Sequence, residues 1–343
     1  MAGAARLHFG LYANNRASVF LPGFSMEALL DLAVEAEELG YHSLWVGDSM
    51  LAKPRYDPIV TLTAIAARTR SIKVATGILQ PHLRNPVVTA LEWATLDIVS
   101  RGRTIMGVGP GAGPPELLSK ECEVAGFERR VRGKVFEECL EVLKALWTLD
   151  NVDFEGRHYC YRDVSLGYKP VQQPHPPIWI AAGHYNPVKV ENYRYGHFVA
   201  ANAGKHTGPF DRVARLADGW LTNHISPAEY AERYAEISTA ATGRYGRPPG
   251  AVHPAMNCWI NVGRDRQTAR DEGREMLEIY HRMPFDDESV DRWVICGTAR
   301  QCIDRLEEFA AAGVRTMQIV LASRDQPEQM RRIARDVLPA FSA

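Results

Sequence analysis

The side chains best suited to chemistry in this chain follow two predicted strands. Asp48 and Ser49 come directly after the run SLWVG, and His82 lies shortly after the run KVATG. The carboxyl ends of parallel strands meet at one edge of a sheet, so these three residues are our candidates for catalysis. A histidine beside a cofactor could move a proton near neutral pH. Two alternatives stay open, since a lone histidine after a proline is more often a surface residue and Asp48 could simply cap its turn.

Glycines end two consecutive predicted strands. Residues 72–113 are typical of a strand–helix–strand unit, whose first strand ends in Thr-Gly-Ile and whose second ends in Gly-Val-Gly-Pro-Gly. Because glycine has no side chain, the backbone at these positions can approach a flat or charged group closely. We therefore predict cofactor contacts at Thr76, Gly77, Ile78, Gly107, Gly109 and Gly111.

The second group of glycines also matches a nucleotide-binding pattern. Residues 107–112 satisfy G-x-G-x-x-A, which in dinucleotide-binding folds must be followed at once by a helix. Pro110, Pro114 and Pro115 argue against such a helix start. A structural turn, or a backbone wall against a cofactor ring, is the better interpretation, and we favour the wall.

Eight apolar runs predict strands, and most of them are followed by a segment with helical periodicity. The predicted strands cover residues 7–12, 43–47, 73–77, 103–107, 178–182, 219–221, 256–262 and 316–321. The pattern predicts an α/β fold, a (β/α)8 TIM barrel that forms a single domain over residues 1–343. We expect a hairpin excursion at 152–170 and an extended loop after the fifth strand. A doubly wound open sheet is the alternative, because strand–helix alternation alone does not distinguish the two.

Composition excludes several classes of function. The chain carries a net charge of −1 and no dense basic run, which argues against nucleic acid as a partner. No stretch approaches ~18 consecutive apolar residues, so we expect no membrane span. The first residues lack the apolar core of a signal peptide, and the six cysteines form neither a CxxC pair nor a metal-ligand spacing. We therefore expect a cytoplasmic protein with reduced thiols and no metal site.

Four stretches spread over the chain together resemble the bacterial luciferase-like family of flavin- or deazaflavin-dependent oxidoreductases. They are AEELGYHSLWVGDS, TGILQPHLRNPVVTALEWATLDIVSRGRTIMGVGPG, KPVQQPHPPIWIAAG and RVARLADGW. The resemblance implies a barrel with an excursion, usually a homodimer, that acts on a small-molecule substrate with FMN or F420 as cofactor. It also implies that the cofactor ring lies over the end of the third strand, where a non-proline cis peptide often forms a bulge. The matching bond here is Gly77–Ile78.

The resemblance further implies where the cofactor phosphate binds. In relatives the phosphate contacts backbone amides at the start of the helix after the fifth strand, which corresponds here to Lys205, Thr207 and Gly208. A helix N-terminus with a nearby lysine suits an anion, although an ordinary helix cap is an equal alternative. The ends of the first and fifth strands complete the predicted cofactor-binding set with Tyr12, Ala182 and Gly183. Residues 184–206 form a long insertion, which we interpret as a lid or, alternatively, as a dimer contact.

Two departures from the family bear on the cofactor. Ser49 stands where several F420-using relatives carry a histidine, and residues 110–112 lack the glutamate that some of them carry. Both departures favour FMN. The leading prediction is therefore an FMN-dependent monooxygenase, which uses O2 and reduced flavin supplied by a separate flavin reductase. The alternatives are an F420-dependent reductase or dehydrogenase that transfers a hydride, and a flavin-binding subunit without catalytic activity.

Overall fold

Eight parallel strands close into a barrel in the computed structural model, which describes residues 7–16, 21, 23–51, 53, 55–111, 115–183 and 207–341. The strands are β1 (His8–Tyr12), β2 (Ser43–Val46), β3 (Lys73–Thr76), β4 (Thr104–Val108), β5 (Val152–Glu155), β6 (Cys160–Val164), β7 (Ile178–Ala181), β8 (Gly219–Thr222), β9 (His253–Val262), β10 (Val294–Gly297) and β11 (Thr316–Leu321). The barrel runs β1-β2-β3-β4-β7-β8-β9-β11 and closes through the parallel pairing of β11 with β1. The predicted TIM barrel is therefore confirmed.

Helices follow most of the barrel strands and pack outside them. They are α1 (Met26–Glu38), α2 (Pro58–Arg68), α3 (Pro86–Ser100), α4 (Pro115–Val124), α5 (Arg132–Thr148), α6 (Thr207–Leu216), α7 (Pro227–Gly243), α8 (Arg266–His281), α9 (Asp287–Trp293), α10 (Ala299–Ala311) and α11 (Gln326–Asp336). Short 3-10 helices cover Pro81–Leu83, Arg129–Val131 and Leu338–Phe341. Among the described residues, no helix combines the length and the apolar character that crossing a bilayer requires.

Side-chain caps explain where the helices after β2 and β3 begin. Asn85 Oδ1 accepts a hydrogen bond from Val87 N at 2.9 Å, and Asp57 caps α2 in the same way. Pro86 occupies the first helical position of α3, where a missing N–H costs no hydrogen bond. These caps fix the loops that leave β2 and β3 at the carboxyl edge of the barrel.

The predicted hairpin excursion is confirmed, because β5 and β6 pair antiparallel outside the barrel.

Three elements, α4, α9 and β10, were not predicted. β10 adds a ninth parallel strand beside β9, directly after the seven-residue helix α9. Helix α4 begins at Pro115, because proline is tolerated in a first turn and so does not prevent a helix there.

Aromatic side chains fill the barrel beneath its carboxyl edge. The rings of Trp45 and Trp179 have centroids 5.4 Å apart, and His253 stacks on Trp179 at 4.8 Å. Trp45 Nε1 donates to Ser43 Oγ at 2.8 Å, so this buried indole is satisfied. These packed rings fill the interior of the barrel, and residues at the ends of the strands form the candidate site.

Candidate active site

A cavity of about 680 Å³ lies at the carboxyl edge of the barrel. Each of the eight barrel strands, or the residue directly after it, contributes to the wall. Nine of the predicted site residues line it: Tyr12, Asp48, Ser49, Gly77, Ile78, Gly109, Gly111, Ala182 and Gly183. A volume of this size is typical of a cavity that encloses a small organic ligand.

The Gly77–Ile78 peptide bond is cis, as predicted, and it faces this cavity. Gly77 N donates to Val46 O at 2.7 Å, which joins the bulge to β2. A Cβ on Gly77 would displace the amide of Gln318, and a Cβ on Gly109 would lie 2.6 Å from Ile78 Cδ1. The backbone itself therefore forms this part of the wall.

Gln318, on β11, presents a hydrogen-bond donor beside Gly77. The residue is 1% exposed, and its Oε1 accepts from Asn257 Nδ2 at 2.9 Å. Its Nε2 has no hydrogen-bond partner among the residues that the structure describes. A buried donor without a partner costs about 1–3 kcal/mol, so this amide favours a ligand that brings an acceptor to it.

Asp48 lines the cavity, but its carboxylate is already engaged. It forms a bidentate pair with Arg84, with Nη1–Oδ2 at 2.7 Å and Nη2–Oδ1 at 2.9 Å, and it accepts from Gln80 N at 2.9 Å. Ser49 Oγ accepts from Lys53 N at 2.8 Å. The Asp48 contacts join the loops after β2 and β3, and the Ser49 contact closes a turn within the loop after β2, so both side chains position the cavity wall.

The expectation that His82 faces the cofactor is wrong. His82 is 2% exposed, does not line the cavity and packs against the rings of Phe127 and Phe136 at 5.8 and 5.5 Å. Burial, assisted by nearby arginines, lowers the pKa of the imidazole to about 3, so it stays neutral. The alternative of a surface histidine is also wrong. The 3-10 turn Pro81–Leu83 directs the side chain into the core, and strand-end spacing did not predict this turn.

Thr76 and Gly107 do not line the cavity, which corrects their assignment as cofactor contacts. Thr76 Oγ1 donates to Gly107 O at 2.8 Å. A Cβ on Gly107 would overlap the carbonyl oxygen of Thr76. The two residues allow β3 and β4 to lie close together, at positions on the strands just before the residues that line the cavity.

The phosphate-site prediction lies at the limit of what the structure describes. Lys205 and the insertion at 184–206 fall outside the described residues. Helix α6 begins at Thr207, as a phosphate site at its N-terminus requires. Gly208, the next residue, does not line the cavity. The next turn does reach the cavity through Pro209 and Arg212. The phosphate position stays a prediction.

Cationic and aromatic side chains also line the cavity beside Gly47, and the predicted site did not include most of them. Arg55 Nη1 donates to Tyr12 Oη at 2.8 Å, and Arg55 Nη2 donates to Tyr280 Oη at 3.3 Å. Lys53 Nζ lies 5.1 Å from the centre of the Tyr280 ring. Gly47 leaves room for this group, because a Cβ there would displace both the Arg55 guanidinium and the Tyr12 hydroxyl.

These cations change the acidity of the two phenols in opposite ways. Burial raises the pKa of Tyr12 well above its ordinary value. Burial also opposes ionisation of Tyr280, but Arg55 and Lys53 outweigh it and lower the pKa of Tyr280 to about 7. Burial lowers the pKa of Lys53. Burial also lowers the pKa of His281, and the positive charge of Lys53 lowers it further. The two cations, Arg55 and Lys53, therefore favour the ionised form of Tyr280 over that of Tyr12.

Arginines form the rim near the start of α5 and α6. Arg129, Arg130, Arg132 and Arg212 line the cavity there. Arg212 pairs with Glu137 at 2.9 Å. Arg129 is half-buried and has no ion-pair or side-chain hydrogen-bond partner within the described part of the chain. The rim is thus suited to a negatively charged portion of a ligand.

The chain forms a closed parallel barrel with a glycine-lined cavity and a cationic rim at its carboxyl edge, which is where barrels of this class carry their active sites. The model of one such family, luciferase-like monooxygenase, matches residues 7–207, more than half of the chain. The protein belongs to that family, and it is an oxidoreductase by class.

Relatives and solved structures extend this similarity over nearly the whole chain. The F420-dependent glucose-6-phosphate dehydrogenase of Amycolatopsis mediterranei is 26% identical over 340 residues, which cover 93% of this chain and 96% of that protein. The monooxygenase RslO1 from Streptomyces bottropensis is 22% identical with a TM-score of 0.79, covering 98% and 100% of the two chains. An F420-dependent secondary alcohol dehydrogenase, solved with an F420-acetone adduct, is 19% identical with a TM-score of 0.74 and the same coverage. The two structures establish similarity of fold.

Proposed function

We propose that this protein is an F420-dependent oxidoreductase, which moves a hydride between F420 and a small alcohol or its carbonyl product. The observation that carries the proposal is the match to an F420-dependent dehydrogenase over more than nine-tenths of both chains. The sequence-based preference for FMN rested on two positions, Ser49 and residues 110–112. A similarity that spans nearly all of both chains outweighs two positions, so the F420 alternative becomes the main proposal.

The residues of the cavity fit such a cofactor. The side-chain-free wall at Gly77 and Gly109 suits one face of a flat ring, and the Gln318 amide lacks the acceptor that a ring carbonyl or nitrogen supplies. F420 also carries a phosphate and carboxylates on its side chain. Arg129 and Arg212, on the rim, suit these anions.

When bound, F420 supplies the ring carbon that accepts or donates the hydride. Gly77, Ile78 and Gly109 would contact the face of the ring, and Gln318 would donate a hydrogen bond to its edge. Trp259 and Trp293 add apolar surface to the cavity wall, which would help to exclude water from the reacting groups. The protein's part is to orient the substrate and to hold and move its proton.

Turnover with defined alcohols tests this function. The purified protein is mixed with oxidised F420 and a panel of secondary alcohols and phosphorylated sugars, and loss of the F420 absorbance is followed with and without O2. We expect reduction of F420 with at least one member of the panel, at a rate independent of O2. Substrate oxidation that requires reduced FMN and consumes O2, with no reduction of F420, would contradict the proposal.

The FMN-dependent monooxygenase is the second candidate. It is favoured by Ser49, which stands where several F420-using relatives carry a histidine, and by residues 110–112, which lack the glutamate that some of them carry. This candidate needs a separate flavin reductase, which stays a prediction. The oxygen dependence of turnover distinguishes the two candidates in one experiment.

A further inference from the structure

Three cations lie around Tyr280, and none of them pairs with a carboxylate among the residues that the structure describes. The Arg16 guanidinium lies 5.3 Å and Lys53 Nζ lies 5.1 Å from the centre of the Tyr280 ring, and Arg55 donates to its hydroxyl. Their contacts with the residues that the structure describes are to backbone oxygens, to the phenols and to the Asn15 amide, and none is to a carboxylate. Buried like charges raise the free energy of the folded protein unless an anion lies among them. Ionised Tyr280 is an anion that the protein itself can supply.

Several elements packed against Tyr280 contribute charged, titratable or aromatic groups. The charged and titratable groups that face it are Tyr12 from β1, Arg16 from the following loop, Lys53 and Arg55 from the loop after β2, and His281 from α8. From β9 the uncharged ring of Trp259 packs edge-on at 5.2 Å. None of these neighbours is acidic, so the field at the phenol favours its ionised form.

This cluster lies beside the predicted position of the cofactor ring. The strand register pairs Val46 with Thr76, so Gly47 and Gly77 lie side by side at the ends of β2 and β3. The Arg55 guanidinium and the Tyr12 hydroxyl sit directly against Gly47. Tyr280 lines the same cavity as the cis peptide bond, and the Arg55 guanidinium that lies against Gly47 donates a hydrogen bond to its hydroxyl.

We propose that Tyr280 exchanges the substrate's proton in the hydride-transfer reaction, and that Lys53 and Arg55 hold it in the ionised form. The inference rests on the proposed function and deepens it. In alcohol oxidation the C–H bond breaks with its electron pair, which leaves as hydride to oxidised F420, while the O–H proton passes to Tyr280 Oη and the C=O bond forms. The reverse reaction returns the proton from Tyr280 to the carbonyl oxygen. Tyr280 would thus take the role of the histidine that several F420-using relatives carry at the position of Ser49.

The ionisation is tested on the protein without cofactor, so its outcome is independent of which cofactor binds. Ultraviolet difference spectra are recorded from pH 5 to pH 9, a range of about two units on each side of neutrality. We expect one phenolate to form with a midpoint near the pKa of about 7 that the cations give Tyr280. The transition should disappear in Tyr280→Phe and persist in Tyr41→Phe, whose hydroxyl donates to Met330 O at 2.9 Å away from the cavity. Absence of the transition in the unmodified protein would overturn the proposal.

Two further measurements test the roles of the cations and of the phenol. Lys53→Met should move the transition upward by about one pH unit or more, because an opposite charge near an acid lowers its pKa by ~1–3 units. With F420 and an alcohol that is turned over, kcat for oxidation should rise with pH through about 7. Tyr280→Phe should abolish this rise and lower kcat by ~10²–10⁴-fold. Tyr41→Phe should retain both the rise with pH and the kcat of the unmodified protein. An unmoved transition in Lys53→Met, or a pH profile that survives in Tyr280→Phe, would overturn the proposal.

Discussion

At the scale of single residues, the cavity depends on positions where an added atom displaces a functional group. Gly77 is the clearest of them, because a Cβ there would push the Gln318 amide out of its place beside the cis peptide bond. The amide is buried and held by Asn257, so it has little freedom to move aside. A side chain at residue 77 would therefore change the cavity wall at Gln318.

Gly77→Ala should weaken F420 binding by about tenfold or more, which corresponds to ~1.4 kcal/mol. The added methyl group would occupy the space beside the ring and disturb the Gln318 donor. Affinity is measured by titration calorimetry and the free energy of unfolding by denaturant titration. Gly167→Ala is the matched control, since a Cβ at Gly167 meets nothing within 4 Å. Unchanged affinity in Gly77→Ala, in a protein that folds normally, would place the ring elsewhere.

At the scale of elements, one carboxylate joins α1 to the turn before β3. Glu37 accepts hydrogen bonds from the backbone N–H groups of Arg70 at 2.9 Å, Ser71 at 2.6 Å and Ile72 at 2.8 Å. Burial opposes ionisation, but these backbone donors outweigh it and lower the pKa of Glu37 to about 2. The ionised carboxylate thus stabilises the start of the strand that carries Gly77.

Glu37→Gln should therefore destabilise the protein at neutral pH. The pKa of Glu37 is about 2 in the folded state and near its ordinary value of 4.5 in the unfolded state. Its stabilising contribution is consequently complete above about 4.5 and is lost as the pH falls through about 2. Denaturant titrations at several pH values should show a difference between the two proteins that shrinks over this interval. A difference independent of pH would contradict this explanation.

The strands and the glycine-rich wall were predictable because they depend on local sequence. Apolar runs and capping residues, such as Asn85 before Pro86, mark the elements, and glycines mark where the ends of β3 and β4 border the cavity. The sequence does not predict helix α4, because the prolines at 110, 114 and 115 argue against a helix start there. Proline disfavours only the interior of a helix, and Pro115 occupies the first turn.

At the scale of the whole molecule, the closure of the barrel decides which side chains meet. Tyr280 belongs to α8 and Gln318 to β11, yet they share a cavity with Tyr12 and Gly77. Linear spacing carries no signal for either residue, because their positions follow from barrel geometry. The error at His82 has the same origin, since proximity in sequence to a strand end did not reveal the direction of its side chain.

Apolar side chains also remain exposed on two neighbouring helices. Five of them, between 41% and 69% exposed, lie on α2 and α3: Val60, Val88, Leu91, Ile98 and Val99. An exposed apolar surface of this kind often marks a subunit interface. We expect a second copy of the chain to cover it, in keeping with the homodimer that the family resemblance implies.

Light scattering coupled to size-exclusion chromatography tests the dimer. The unmodified protein should elute as a dimer, and the double variant Val88→Glu, Leu91→Glu should be monomeric, because buried unpaired charges disrupt an apolar interface. Tyr168→Glu serves as the control, since Tyr168 is 71% exposed near the β5–β6 hairpin. A monomeric unmodified protein, or a double variant that stays dimeric, would contradict the prediction.

The central claim is that this cavity binds F420, and equilibrium binding tests it most directly. The protein without cofactor is titrated with F420 and, separately, with FMN, and each titration is repeated with Gln318→Leu, which removes the amide donor that faces Gly77. We predict that F420 binds at least about tenfold more tightly than FMN, and that Gln318→Leu weakens F420 binding by a similar factor. Tighter binding of FMN, or F420 binding that is indifferent to Gln318, would contradict the account.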